Sequence, residues 1–235
     1  MKIKMVLFDL DGTLLPMQQE HFVADYVGRL SAAAAEWGYD PKLFGKALLS
    51  GTGAMMKNDG TVTNEQLFWK TFETVYGKSA QEDEEKFEAF YKTEFQKVQA
   101  VCGFEKAAGE TIKLVKGKGL RVALATNPLF PKIATESRMR WAGLDPDDFE
   151  EYTTFENYHY GKPNLKYYEE LLHNLGVQPW ECLMVGNDVG EDMVARKLGM
   201  QVFLLTDCLI NKNNADISQY QNGSFPELKE FLKSL

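Results

Sequence analysis

Asp9-Leu10-Asp11-Gly12-Thr13 closes the apolar run Ile3 to Leu10, putting two carboxylates two residues apart at the end of a segment that reads as a strand. In an extended strand, side chains at i and i+2 share a face, so Asp9 and Asp11 are expected to project together. The carboxyl end of a parallel strand is where open α/β sheets bind ligands. Carboxylates held that close repel one another, which is tolerable where a cation lies between them or one is protonated. Gly12 lets the chain turn without a Cβ, and Thr13 offers a hydroxyl and an amide to an anion.

Three later segments place polar groups at comparable points. Leu124-Ala125-Thr126-Asn127 ends a second apolar run with a hydroxyl and a carboxamide. Gly161-Lys162-Pro163 sets an ammonium just before a helix whose first turn would begin with proline, at its positive end. Met184-Val185-Gly186-Asn187-Asp188-Val189-Gly190-Glu191-Asp192 ends a third run with the carboxylates of Asp188, Glu191 and Asp192. Each segment alone has a plain reading: a helix cap, a solvated lysine, an acidic helix start. Their order at successive strand ends points instead to one site.

The elements that must position these residues follow from periodicity. Apolar runs at Ile3 to Leu10, Leu120 to Thr126, Cys182 to Val185 and Val202 to Leu205 are nearly continuous, as in strands covered on both faces. Amphipathic helical segments at Phe104 to Lys118, Pro131 to Trp141, Asn164 to Leu175 and Glu191 to Leu198 alternate with them. The pattern predicts an α/β, doubly wound (Rossmann-like) parallel sheet. The interval from Asp9 to Thr126 is several times the roughly 30 residues of a βαβ unit, so something is inserted after the first strand. That insert, 16–101, reads as a helical cap with helices at Gln18 to Trp37, Pro41 to Leu49, Asn64 to Tyr76 and Glu82 to Val98. Ser50-Gly51-Thr52-Gly53-Ala54 and the polar stretch Lys57 to Thr63 are expected to break it into halves. The core would comprise 1–15 and 102–235.

Composition narrows the class. The 235 residues are 44% hydrophobic, enough for a core of one or two domains. Lys plus Arg is 26 against 34 Asp plus Glu, a net charge of −8 that is the opposite of a nucleic-acid footprint. An anionic substrate therefore needs a local cation. Three scattered cysteines, without Cys-x-x-Cys spacing, read as reduced thiols. No apolar stretch approaches the roughly 20 residues of a membrane span, and the run after Lys4 is too short for a signal segment. The expectation is a cytoplasmic protein, monomer or homodimer, with no nucleic-acid or membrane partner.

With Asp9-Leu10-Asp11-Gly12-Thr13, Thr126-Asn127, Lys162 before Pro163, and Gly186-Asn187-Asp188 with Asp192, the chain resembles the haloacid dehalogenase superfamily, specifically its phosphatase-like members with a helical cap. The resemblance implies a Mg2+-dependent phosphatase acting on a small soluble phosphate ester through an aspartyl-phosphate. Asp9 would be the nucleophile and Asp11 the acid and base, with Thr126 and Lys162 neutralising phosphoryl oxygens. Thr13 and Asn127 would bind phosphate. Mg2+ would take Asp9, the Asp11 carbonyl and Asp188, with Asp192 in its outer shell. Many relatives carry the metal aspartate where this chain has Asn187. Asp188 keeps an i, i+4 spacing to Asp192, and Glu191 stays open. A phosphomutase, a true dehalogenase and a receiver-like signalling domain are the rival readings.

A cap over the sheet edge must line the other wall of the cleft, which makes Gln18, Gln19, His21, Lys57 and Asn58 candidate substrate contacts. His159 and His173 share no ligand spacing. The Phe87 to Phe95 stripe reads as core, Glu82 to Glu85 as an acidic helix start, and Gly51-Thr52-Gly53 is too short for a phosphate loop.

Overall fold

A computed structural model describes residues 2–79 and 83–235. In chain order the elements are β1 (Met5–Phe8), α1 (Gln19–Glu36), α2 (Pro41–Met55), α3 (Asn64–Tyr76), α4 (Glu84–Lys92), α5 (Lys106–Gly117), β2 (Arg121–Leu124), α6 (Lys132–Trp141), α7 (Leu165–Leu175), β3 (Cys182–Gly186), β4 (Gln201–Leu205), β5 (Gln221–Gly223) and α8 (Phe225–Ser234). The five strands form one parallel sheet in the order β2-β1-β3-β4-β5. This is the expected α/β fold, with helices inserted between β1 and β2.

The two-residue period of the strands sorts the core. Val6, Phe8, Val122, Leu124, Val185 and Phe203 pack on one face with α5 and α8 residues such as Ile112 and Leu228. Met5, Leu7, Ala123, Met184 and Val202 pack on the other face with Tyr167, Tyr168 and Leu171 of α7. Every residue of β1 is buried, which is why its sequence is continuously apolar rather than alternating.

The inserted helices are joined to the sheet layer by aromatic contacts. Phe22 of α1 meets Phe130 at 5.8 Å, Phe68 of α3 meets Phe155 at 6.3 Å, and Phe95 meets Trp141 at 5.1 Å.

Four expectations are corrected. First, α2 runs through Ser50–Ala54 to Met55 instead of ending at Leu49, because Gly51 is not a turn residue. A Cβ there would meet the Phe68 ring at 2.6 Å, so the glycine permits close approach of α3. Second, the helix expected over Glu82 to Val98 stops at Lys92 and resumes as a 3-10 helix over Glu94–Val101; Glu82 itself lies outside the described residues. Gln96 Nε2 donates to the Tyr91 carbonyl at 2.7 Å where helical bonding lapses. Third, the helix expected over Glu191 to Leu198 is a 3-10 turn, Met193–Leu198. Fourth, α7 begins at Leu165 with the Asn164 side chain accepting from Lys166 N, so Pro163 lies before the helix rather than in its first turn. The polar edge strand β5 and the amphipathic α8 complete the sheet's far side.

Among the described residues no helix is long and apolar enough to cross a membrane.

Candidate active site

Strand register brings the motif residues together. Phe8 pairs with Leu124 on one side and Val185 on the other. The ladder continues one step, with Ala125 N donating to Phe8 O at 2.7 Å and Asp9 N to Val185 O at 2.9 Å. Asp9 therefore emerges between the strand ends that carry Thr126 and Asn187.

Asp9 is buried and both of its oxygens are engaged. Oδ1 accepts from Lys162 Nζ at 3.0 Å and Oδ2 from Thr13 Oγ1 at 2.9 Å. Lys162, 1% exposed, also donates to Asp192 Oδ1 at 2.6 Å. Burial opposes the Lys162 charge, but the Asp192 and Asp9 carboxylates outweigh it and raise the ammonium's pKa, keeping it protonated. Two carboxylates face one ammonium, and burial, with Asp9 adding to it, raises the pKa of Asp192 against the pull of Lys162. The second Asp192 oxygen accepts from Asp188 N at 2.9 Å, so Asp192 ties Lys162 to the loop after β3.

Asp11 follows the paired residues of β1 and lies near enough to Asp9 for the two charges to interact. The two carboxylates take different partners, and Asp11 Oδ2 accepts from Arg138 Nη1 of α6. Arg138 is fully buried, stacked over Phe130 with its guanidinium carbon 4.3 Å from the ring centroid, and Nη2 donates to Thr135 Oγ1 at 3.2 Å. Asp11 Oδ1 is buried without a hydrogen-bond partner. Burial raises the Asp11 pKa, Arg138 opposes it and Asp9 adds to it. A carboxyl of raised pKa with one unsatisfied oxygen suits a group that carries a proton.

The loop after β3 supplies oxygen donors in an order the sequence did not reveal. Asn187 Nδ2 donates to Cys208 O at 2.7 Å, which turns its Oδ1 toward Thr13 Oγ1, 3.0 Å away. Thr13 has one hydroxyl proton for two oxygens, Asp9 Oδ2 and Asn187 Oδ1, so one contact lacks a hydrogen. Such a proton-poor group of oxygens suits a hard cation. Asp188 uses Oδ1 on the amides of Gly190 and Glu191, at 2.7 and 3.0 Å. Glu191 Oε2 accepts from Asn127 Nδ2 at 3.1 Å, and burial raises its pKa. Among the described residues no three His, Cys, Asp or Glu side chains form a metal cage by themselves.

The remaining candidates divide. Thr126 is buried, its carbonyl anchored by the hydroxyls of Thr153 and Tyr167. Asn127 Oδ1 accepts from Lys162 N at 3.2 Å, joining the second and third motifs. Gln18 and His21 lie exposed at the start of α1, and Gln19 and Lys57 are exposed as well. Asn58 is spent on its own loop, bonding Val62 O, Asn64 Oδ1 and Gly60 N. Arg138, Tyr167 and Tyr168 reach the site through helix packing, and Thr153 through its backbone bond to Leu124 at the end of β2, none with a local sequence signal; Tyr168 OH bonds Glu191 O at 2.7 Å.

Comparison with known proteins agrees with this geometry. A family model described as haloacid dehalogenase-like hydrolase matches residues 3–199. The glyceraldehyde 3-phosphate phosphatase of Methanothermobacter thermautotrophicus is 29% identical over 126 residues, 50% of this chain and 54% of that protein. Its namesake from Methanocaldococcus jannaschii is 28% identical over 128 residues, 54% of this chain and 55% of that protein. The chain thus spans about half the length of the curated relatives it matches. The crystal structure of a HAD phosphatase from Thermococcus onnurineus shares the fold, with a TM-score of 0.60 at 19% identity over 99% of this chain and 98% of that one. With strand-end motifs gathered on one sheet edge and a family match that runs from before β1 to beyond Asp192, the chain belongs to the haloacid dehalogenase-like hydrolases.

Proposed function

We propose that the chain is a Mg2+-dependent phosphatase that hydrolyses a small phosphomonoester through an aspartyl-phosphate on Asp9. The observation that carries this reading is the buried Asp9–Lys162–Asp192 network at the carboxyl edge of the sheet. It holds a carboxylate nucleophile beside a permanently charged ammonium. The curated relatives, named for hydrolysis of a three-carbon phosphate, support the substrate class.

In the proposed cycle an Asp9 oxygen attacks phosphorus, the bond to the ester oxygen breaks, and Asp11 gives its proton to the departing alcohol. Water then attacks the aspartyl-phosphate, Asp11 takes the water's proton, and phosphate and free Asp9 are restored. Lys162, Thr126, Thr13 and Asn127 neutralise and orient the phosphoryl oxygens, which is most of what phosphoryl transfer requires. Asp9, the Asp11 carbonyl, Asn187 Oδ1 and Asp188 are the oxygen donors that would hold Mg2+, with Asp192 behind them. The bound ion supplies positive charge to the phosphoryl group. In this reading 1–15 and 102–235 form the catalytic core and 16–101 the cap.

The test is release of free phosphate from a panel of sugar, nucleotide and triose phosphates, with Mg2+ and with EDTA, for the wild type and Asp9→Asn. Loss of the nucleophile is expected to lower turnover at least about a hundredfold, roughly 2.7 kcal/mol of barrier at 1.36 kcal/mol per tenfold. Undiminished hydrolysis by Asp9→Asn overturns the covalent route. Isomerised ester with no phosphate release indicates a phosphomutase instead.

A further inference from the structure

We propose that the inserted helices carry a second binding site, separate from the catalytic edge, for a small apolar molecule bearing an ammonium group. A cavity of about 410 Å³ lies among α1, α2, α3 and α4 and the loops at 129–131 and 155–156. That volume is within the range of small-molecule sites, ~300–1,000 Å³. Its walls are aliphatic and aromatic, with Val27, Leu30, Leu48, Phe68, Trp69 and Phe130 among them. Asp9, Asp11, Thr126 and Lys162 are not in the lining.

The charge of the lining selects the ligand. Glu65, Glu84, Glu88 and Glu156 face the cavity, and the described lining residues include no Lys or Arg. Glu88 is paired with Lys92 at 2.6 Å. Glu156 differs: Oε1 accepts from Lys132 N at 2.8 Å, whereas Oε2 is buried with no hydrogen-bond partner. Glu65 sits beside it, and burial followed by the Glu156 and Glu84 charges raises its pKa. Glu65 and Glu156 repel one another on a wall whose described residues carry no basic side chain, and an N–H cation in the cavity offsets that repulsion. An apolar body on that cation displaces water from the aromatic walls. An anionic phosphate ester meets only like charge here, which makes this site independent of the phosphatase reading.

Calorimetric titration of the full chain at pH 7 with n-octylammonium, 1-octanol and octanoate tests the site. One saturable site is expected, with octylammonium binding about tenfold tighter than octanol, the order of one partly buried charge pair, and octanoate not saturating. Glu65→Gln and Glu156→Gln are each expected to reduce octylammonium affinity toward that of octanol, leaving octanol affinity and far-ultraviolet dichroism unchanged. Octanol or octanoate equalling octylammonium overturns the proposal. So does the absence of saturable binding, or insensitivity of octylammonium to both Glu variants.

Discussion

Arg138 and Asp11 form a buried pair on which proton transfer would turn in the proposed cycle. The arginine is locked by its stack on Phe130 and its bond to Thr135, and it grips one Asp11 oxygen while the other stays unpartnered. If Arg138 positions the acid, its loss matters most where the leaving group needs a proton. In Arg138→Met, kcat/KM for an alkyl phosphate is expected to fall about 10²-fold, the lower end of general-acid contributions. That for p-nitrophenyl phosphate, whose leaving group departs as an anion, should fall far less. Removing one partner of a buried pair also destabilises by about 3–5 kcal/mol. The ratio of the two substrates within one sample cancels any unfolded fraction, and an unchanged ratio sinks the positioning role.

Between elements, the two glycines nearest the end of α2 make opposite demands. Gly51 faces Phe68, where a Cβ would sit at 2.6 Å, whereas a Cβ on Gly53 meets nothing within 4 Å. Gly51→Ala is expected to lower stability by about 1–3 kcal/mol through overpacking of the α2–α3 contact. Gly53→Ala should raise it by roughly 0.5–1 kcal/mol through helix propensity alone. Urea melts of the two variants decide this, and the same sign for both contradicts the packing shown by α2 and α3. Local sequence could not separate them, because a glycine that permits a turn and one that permits close contact are the same letter. A similar ambiguity hid the break at Thr93, where the apolar stripe continues although the helix does not.

For the whole molecule, an excess of acid is concentrated where the strands end. The net charge is −8, and Asp9, Asp192 and Glu191 lie around Lys162, with Asp188 beside Glu191. A divalent cation that binds only the native state stabilises it by about 1.4 kcal/mol at tenfold its Kd. For a chain of this size that is a rise in Tm of roughly 3–6 °C. Mg2+ is expected to produce such a rise over NaCl of equal ionic strength, EDTA to reverse it, and Asp9→Asn to reduce it. Equal melting with Mg2+, with NaCl and with EDTA would count against a metal at this edge.

The sequence by itself determined four of the five strands, the long helical insertion and the strand ends at which the candidate residues stand. Continuous apolar runs too short for a helix and bounded by turn residues read as doubly covered strands, and the polar groups just beyond them fall at the rim. Tertiary structure alone decided which side chains meet there. Strand register sets Asp9 between Thr126 and Asn187, and α6 carries Arg138 to Asp11 from 127 positions along the chain. The Cys208 carbonyl, by holding the Asn187 amide, aims its oxygen inward. Such meetings depend on packing between distant segments, which neither periodicity nor spacing along the chain encodes.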